Sequence, residues 1–200
     1  MTPSALVDGS ARTQAPGQLE DRIVDAMLEC IGRWGVTKTT ADDIARTAGV
    51  SRATLYRVFP GGKDVAFEAL LRRENARFFE SVTGPLEHAS TLEDTLAIGL
   101  VEAARFLLDH EPLQYVLTHE PEQMEITSGT GLGSAYAIAT AFVVPLLRPF
   151  VADDGAAQFG ADWVVRQFFS YALVPSPALD LTDEAAVRRF VRTYIVPALT

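Results

Sequence analysis

Apolar residues recur along this chain at intervals of three and four. From Leu19 they fall at positions 19, 23, 26, 27, 30, 31 and 34, the one-sided stripe of an amphipathic helix, and Gly35 then offers a stop. A shorter pattern at 41, 44, 45 and 48 closes on Gly49, and Leu55, Val58 and Phe59 share the face of a third segment. A long helix is predicted from about Lys63 to Val82, interrupted at "TGPLE". Further helices are predicted in "STLEDTLAIGLVEAARFLLDHEP" behind a Thr91 cap, at 112–119, at 134–152, at 156–174 and from Asp183 onward. In the last, positions 187, 190, 191, 194, 195 and 198 form a stripe with Arg188, Arg189 and Arg192 off it. "TSGTGLG" reads as a loop. Residues 1–17 lack periodicity and read as a mobile tail in which Arg12 is a solvated charge. No segment alternates as a strand does, so the fold class is all-α with about nine helices.

The segment 39–63, "TTADDIARTAGVSRATLYRVFPGGK", has its own local logic. The Thr40 hydroxyl is placed to accept a hydrogen bond from the Asp43 N–H, and Asp42 and Asp43 suit the positive end of a helix. Gly49 ends that helix because glycine alone takes the left-handed conformation without penalty. Val50 turns inward and Ser51 caps the next helix. Ala45 is small enough for the second helix to cross close by. Two short helices joined by a tight glycine turn make a helix-turn-helix. The outer face of its second helix carries Arg52, Ala53, Tyr56 and Arg57. Arginine can bond guanine bidentately, alanine can touch a thymine methyl, and Tyr and Thr hydroxyls can reach phosphate. Lys63 opens the following helix, where exposed N–H groups and a lysine suit phosphate. Two arginines on a solvated helix face mean little alone; the combination within one window carries the reading.

Charge sharpens this picture. The 200 residues carry a net charge of −9, unevenly spread. Residues 1–73 hold ten basic and nine acidic side chains, whereas 74–200 hold seven and seventeen. Within 38–63 there are five basic and two acidic residues. An acidic chain is a poor general binder of polyanions, but a basic island can grip phosphate locally. Cys30 is the single cysteine, so no intrachain disulfide forms and a buried thiol is expected. No apolar run is expected to reach bilayer-crossing length, and the N-terminus lacks a signal-peptide pattern. A soluble, cytoplasmic protein with no membrane partner is expected, associated with the nucleoid when bound to DNA.

The stretch "TTADDIARTAGVSRATLYRVFPGGKDVAFEAL" closely resembles the DNA-binding region of TetR/AcrR-like transcriptional regulators. The matching elements are Gly35, Thr39–Thr40, Asp43–Ile44–Ala45, Ala48–Gly49–Val50–Ser51, Thr54–Leu55–Tyr56, Phe59, Lys63 and Leu70, covering residues 19–71. Two departures stand out. Val58 occupies the place where the family often has His, and "FPGGK" sets Lys63 one residue further from Phe59 than is common. The resemblance implies that Thr40 and Tyr56 bond phosphate with Ser51 and Thr54 near the backbone, and that Arg52, Ala53 and Arg57 face base edges. Arg46 is left between phosphate and a pair with Asp42. The implied division is a tail at 1–17, a helix-turn-helix domain at 18–63, and an effector-binding and dimerisation domain at 64–200.

The resemblance also implies a homodimer built from the last two helices. The sequence supplies apolar ridges for it: Phe159, Trp163 and Phe168 in one helix, Val187, Phe190, Val191 and Tyr194 in the next. The alternative is that both ridges face their own core. A symmetric dimer suits a palindromic operator on double-stranded DNA. The middle helices would enclose a pocket for a small-molecule effector, with Phe78, Phe106, Tyr115, His119, Tyr136, Phe142 and Phe168 as candidate lining. No cofactor, metal site or catalytic residue is expected. "HEPLQYVLTHEP" repeats its His-Glu-Pro nine residues apart without HExxH spacing and reads as helix ends. "SGTGLG" lacks a preceding strand, and no nucleophile elbow is present. The implied function is a sequence-specific DNA-binding regulator, a repressor released by its effector. The alternatives are a helical small-molecule-binding protein or enzyme with a vestigial helix-turn-helix, and a DNA-binding regulator without a ligand.

Overall fold

The computed structural model describes residues 16–121 and 132–200, and among these the regular structure is helical apart from one bridge between Ser176 and Leu179. The expected tail with Arg12 and most of the expected loop at 127–133 lie outside the described residues. Helix α1 (Pro16–Lys38) breaks at Gly35, whose φ of 82° no other residue type adopts readily. Helices α2 (Ala41–Thr47) and α3 (Arg52–Val58) follow, then the long α4 (Lys63–Leu86). Helix α4 runs past the expected stop at Val82. Its Pro85 stands one residue from the end, where proline costs a single hydrogen bond.

Helix α5 (Leu92–Asp109) is capped by Thr91, whose hydroxyl accepts the Asp94 N–H at 3.1 Å. Helix α6 (Glu111–His119) starts behind His110, and α7 (Leu132–Leu147) ends in a short 3-10 turn. Helix α8 (Asp154–Leu173) is capped by Asp153. Helix α9 (Glu184–Phe190) passes through a wide π turn into α10 (Val196–Leu199). That turn precedes Pro197, which has no N–H for the Thr193 carbonyl.

Two hydrophobic cores form. The first gathers Ile23, Met27, Ile44, Leu55, Phe59 and Leu70; the second gathers Leu96, Val101, Leu147, Val164, Val187 and Ile195. Helix α4 belongs to both, through Ala66, Ala69 and Leu70 at its start and Val82 near its end. Burying each large aliphatic side chain contributes about 1.5–3 kcal/mol. Cys30 is buried in the first core, and burial pushes its thiol pKa up against the lowering effect of the Thr47 hydroxyl. At the edge of the second core, Arg188 donates to Asp94 at 2.6 Å and Arg192 to Glu93 at 2.7 Å, tying α9 and its π turn to the start of α5.

The final stripe divides in a way that corrects the expectation of one outward ridge. Val187, Val191 and Ile195 are fully buried in their own core, and Phe168 is buried as well. Composition along α7 brings a second correction. Gly133–Phe150 is apolar and long enough to cross a bilayer, with a mean hydropathy of 1.2. Here α7 packs on α8 and turns its other apolar side toward an internal cavity.

Candidate nucleic-acid interface and effector cavity

The α2–α3 pair is set by its caps and its turn. Thr40 and Asp43 form a reciprocal capping box: the Asp43 N–H donates to the Thr40 hydroxyl at 3.2 Å, and the Thr40 N–H donates to the Asp43 carboxylate at 3.2 Å. The hydroxyl of Thr40 holds the Asp43 carboxyl below its ordinary range. Gly49 takes φ 65°, and the Val50 N–H reaches back to the Ala45 carbonyl at 2.9 Å. The Ser51 hydroxyl accepts the Thr54 N–H at 3.1 Å and caps α3.

Ile44, Ala45, Leu55 and Phe59 are buried beneath this turn, so the opposite side of α3 has to face outward. Arg52, Ala53, Tyr56 and Arg57 are all exposed there. The two arginines differ. Arg52 donates to both oxygens of Asp42, at 3.1 and 3.0 Å, and its guanidinium lies 5.5 Å from the Tyr56 ring centre. Contact with Tyr56 and the charge of Asp42 raise its pKa further. Arg57 has no carboxylate partner among the described residues. The suggested Asp42–Arg46 pair does not form. Arg46 pairs with Asp43, three residues back, and leaves Asp42 to Arg52.

The junction with the larger unit is built on glycines and one carboxylate. Gly61 and Gly62 take φ 121° and 68°, absorbing the extra residue of "PGG", so α4 still begins at Lys63. A Cβ on Gly62 would lie 2.8 Å from the Tyr56 ring, so this glycine lets the ring come close to the chain. The Lys63 ammonium donates to the Val36 carbonyl at 2.6 Å, spending one of its donors inside the fold. Glu120, buried at the end of α6, accepts the Val36 N–H at 2.6 Å and the Thr37 N–H at 3.0 Å. These are amides freed by the break at Gly35. Burial acts to raise the Glu120 pKa; the Thr37 side chain, the two amides and Lys63 outweigh it and hold it below the ordinary range.

A cavity of about 370 Å³ lies between α4, α5, α7 and α8, and extends to α1 and α6. Of the candidate lining residues it includes Phe78, Phe106, Phe142 and Phe168. Tyr115, His119 and Tyr136 lie off its wall. Tyr115 and His119 stack on one another at 4.3 Å, and Tyr136 stacks on Phe169 at 4.7 Å beside Arg166. Tyr115 and His119 thus engage one another and Tyr136 engages the wall residue Phe169, pairings that helical spacing alone does not reveal. At the wall, His110 Nδ1 accepts the Leu113 N–H at 3.1 Å. Its Nε2 therefore carries the proton and faces Glu74 at 3.2 Å.

A separate apolar face stays open on α8 and the C-terminal rod. Phe159 is 73% and Tyr194 65% exposed, with Trp163 and Phe190 partly covered. The rings of Tyr171, Phe190 and Tyr194 form a ladder at 5.6 and 5.7 Å.

Sequence reasoning missed Glu120. The second His-Glu-Pro reads as a helix end, and its only signal is a carboxylate directly after a partly apolar helix. The distant amides it serves cannot be seen locally. It likewise missed the claim of Asp42 on Arg52, because the two side chains meet only once the Gly49 turn is made.

Comparison with known proteins agrees with this geometry. Residues 23–70 match the family model for bacterial regulatory proteins of the tetR family. The HTH-type transcriptional regulator Rv1255c of Mycobacterium tuberculosis is 27% identical over 182 residues, covering 90% of this chain and 85% of that protein. TtgW, an HTH-type transcriptional regulator of Pseudomonas putida, is 40% identical over 58 residues, or 29% of this chain and 43% of its own. Among solved structures, the fatty acid degradation regulator FadR of Bacillus halodurans superposes with a TM-score of 0.64 at 20% identity, covering 88% of this chain and 96% of that one. The TetR family repressor AlkX of Dietzia sp., implicated in biodegradation of n-alkanes, gives 0.60 at 21%, covering 90% and 94%.

Proposed function

The chain belongs to the TetR family and is a DNA-binding transcriptional regulator, and from that premise we propose that it is a homodimeric repressor released from a palindromic operator by a small apolar effector. The observation that carries this reading is the outward face of α3, with Arg57 unpaired among the described residues while the apolar side of the helix is buried. In the proposal Arg57, Arg52 and Ala53 meet base edges in the major groove. Thr40, Ser51, Thr54 and Tyr56 meet phosphate. Lys63, already bonded to Val36, offers phosphate its remaining donors.

The unit at 18–63 binds DNA, and the unit at 64–200 binds effector and partner. Phe159, Trp163, Phe190 and Tyr194 form the dimer contact, spacing two copies of α3 by about 34–36 Å, one turn of DNA. The protein acts at the chromosome, in the cytoplasm. An effector shifts the DNA-binding equilibrium only by its difference in affinity for the two states. Footprinting across the DNA flanking its own gene tests the reading. A protected palindrome whose occupancy falls steeply with salt is expected. Uniform weak protection of all DNA would overturn it.

A further inference from the structure

The shape and chemistry of the cavity point beyond an unspecified apolar effector. Its wall follows α4 from Phe67 to Leu86, roughly 28 Å of helix at 1.5 Å per residue. Spread over that length, about 370 Å³ is narrow. One end lies against Leu28, Ile31 and Val36 of α1, beneath the DNA-binding unit, and the other reaches Leu86 and Thr95.

Asn75 aside, the polar side chains along the wall are already engaged. Glu74 takes His110 at 3.2 Å, Arg77 at 3.0 Å and Arg73 at 3.3 Å. His110 has both nitrogens in use, and the Thr95 hydroxyl donates to the Thr91 carbonyl at 2.9 Å. Among the described residues no lysine or arginine belongs to the wall. Asn75 stands exposed at its edge. An anionic head group brought inside would meet the Glu74 carboxylate, with Arg73 and Arg77 beside it already engaged by that carboxylate, and an unpaired buried charge is costly.

We propose that this cavity takes a neutral, long-chain aliphatic molecule, extended along α4 with one end under Val36. This rests on the effector reading above and narrows it to a chemical class. It also gives chain length a meaning. Val36 is the residue whose N–H is held by Glu120 and whose carbonyl is held by Lys63. Only an occupant long enough to reach it presses on the segment that positions α2.

The test is titration calorimetry of the full-length protein with straight-chain 1-alkanols from octanol to hexadecanol. The alkanoates of the same lengths and pyrene, a compact ring system, serve as comparators. Operator affinity is measured in parallel by fluorescence anisotropy. Each added methylene is expected to lower Kd about fourfold, equivalent to about 0.8 kcal/mol per buried CH₂, until the cavity is full. Alkanoates should bind about tenfold or more weakly than alkanols of equal length, because a charge is desolvated without a partner.

Gly99 gives a plug that the fold can accept. It lines the cavity near the Leu86 end, and a Cβ there meets nothing within 4 Å. Gly99→Phe should move the plateau to shorter chains while leaving operator affinity without ligand unchanged. Gly99→Leu should do the same to a smaller degree and serves if the larger ring perturbs folding. Tighter binding of alkanoates, a series flat in length, or pyrene displacing hexadecanol would each overturn the proposal. If no ligand binds while the operator is still held, the proposal falls and the DNA-binding reading stands. Alkanol binding that leaves operator affinity unchanged would support the ligand class and sink release by effector.

Discussion

The Glu120 carboxylate accepts the Val36 N–H at 2.6 Å, joining the end of α6 to the end of α1 across 84 positions of sequence. The bond exists because Gly35 breaks α1 and leaves two amides without helical partners. Glycine is needed there twice over. Its φ is 82°, and a Cβ would stand 2.5 Å from the Glu120 carboxyl carbon. The same residue gives its carbonyl to Lys63, so the ends of α1 and α6 and the start of α4 meet at Val36.

Replacing Glu120 by Ala strips two part-buried amides of their acceptor. A loss of about 1–3 kcal/mol in unfolding free energy is expected, read from urea denaturation. Gly35→Ala should cost at least as much, since it strains the backbone and displaces the carboxylate together. Unchanged midpoints for both variants would show that the clamp contributes nothing to stability.

Acid should weaken the fold through the same residue. The folded-state pKa of Glu120 lies below its ordinary value of 4.5. Its contribution is therefore complete above that value and is lost as pH falls through the folded pKa. Asp94 shifts the same way, held down first by Arg188, as does Glu93, held down first by Arg192. Melting temperature is expected to stay level from neutral pH to about 5 and to drop below it. Glu120→Gln should flatten part of that drop, and an identical pH profile would refute the role of this carboxylate.

Asp42 restrains Arg52 in the DNA-free protein. Asp42→Asn should strengthen binding to every duplex, because it removes a negative charge near phosphate and frees a guanidinium. Arg57→Ala should instead relax preference at one base pair by about 1–3 kcal/mol. Tyr56→Phe should weaken all sequences about equally. Anisotropy titrations on the operator and on single-base variants separate these outcomes. Equal effects of Arg57→Ala on every sequence would exclude base reading by that residue.

The C-terminal rod offers a contrast between two sides of one helix. Tyr194→Arg, on the exposed face, should yield monomers of near-normal stability by analytical ultracentrifugation. Ile195→Ala, fully buried, should cost about 2–5 kcal/mol of folding free energy. A dimer that survives both Tyr194→Arg and Phe159→Glu would place the interface elsewhere.

Sequence alone determined whatever depends on neighbours along the chain. Thr40, Ser51 and Thr91 stand where helices start, and Gly49 stands where a left-handed turn is required. Leu55 and Phe59 are spaced to bury together, which turns Arg52, Tyr56 and Arg57 outward. Caps, periodicity and glycine conformations act over one or two turns, so they are written locally. Tertiary structure decided which of two similar apolar faces is core. Val191 is buried while Tyr194 is exposed, because the packing of the C-terminal rod on α5 selects one side. It also decided that Tyr115 stacks on His119 and Tyr136 on the wall residue Phe169, neither tyrosine reaching the cavity, while Phe142 lines it. The Glu120–Val36 bond belongs to the same class: its two ends are strangers in sequence, and only the packing of α6 on α1 brings a carboxylate to amides that have lost their own partners.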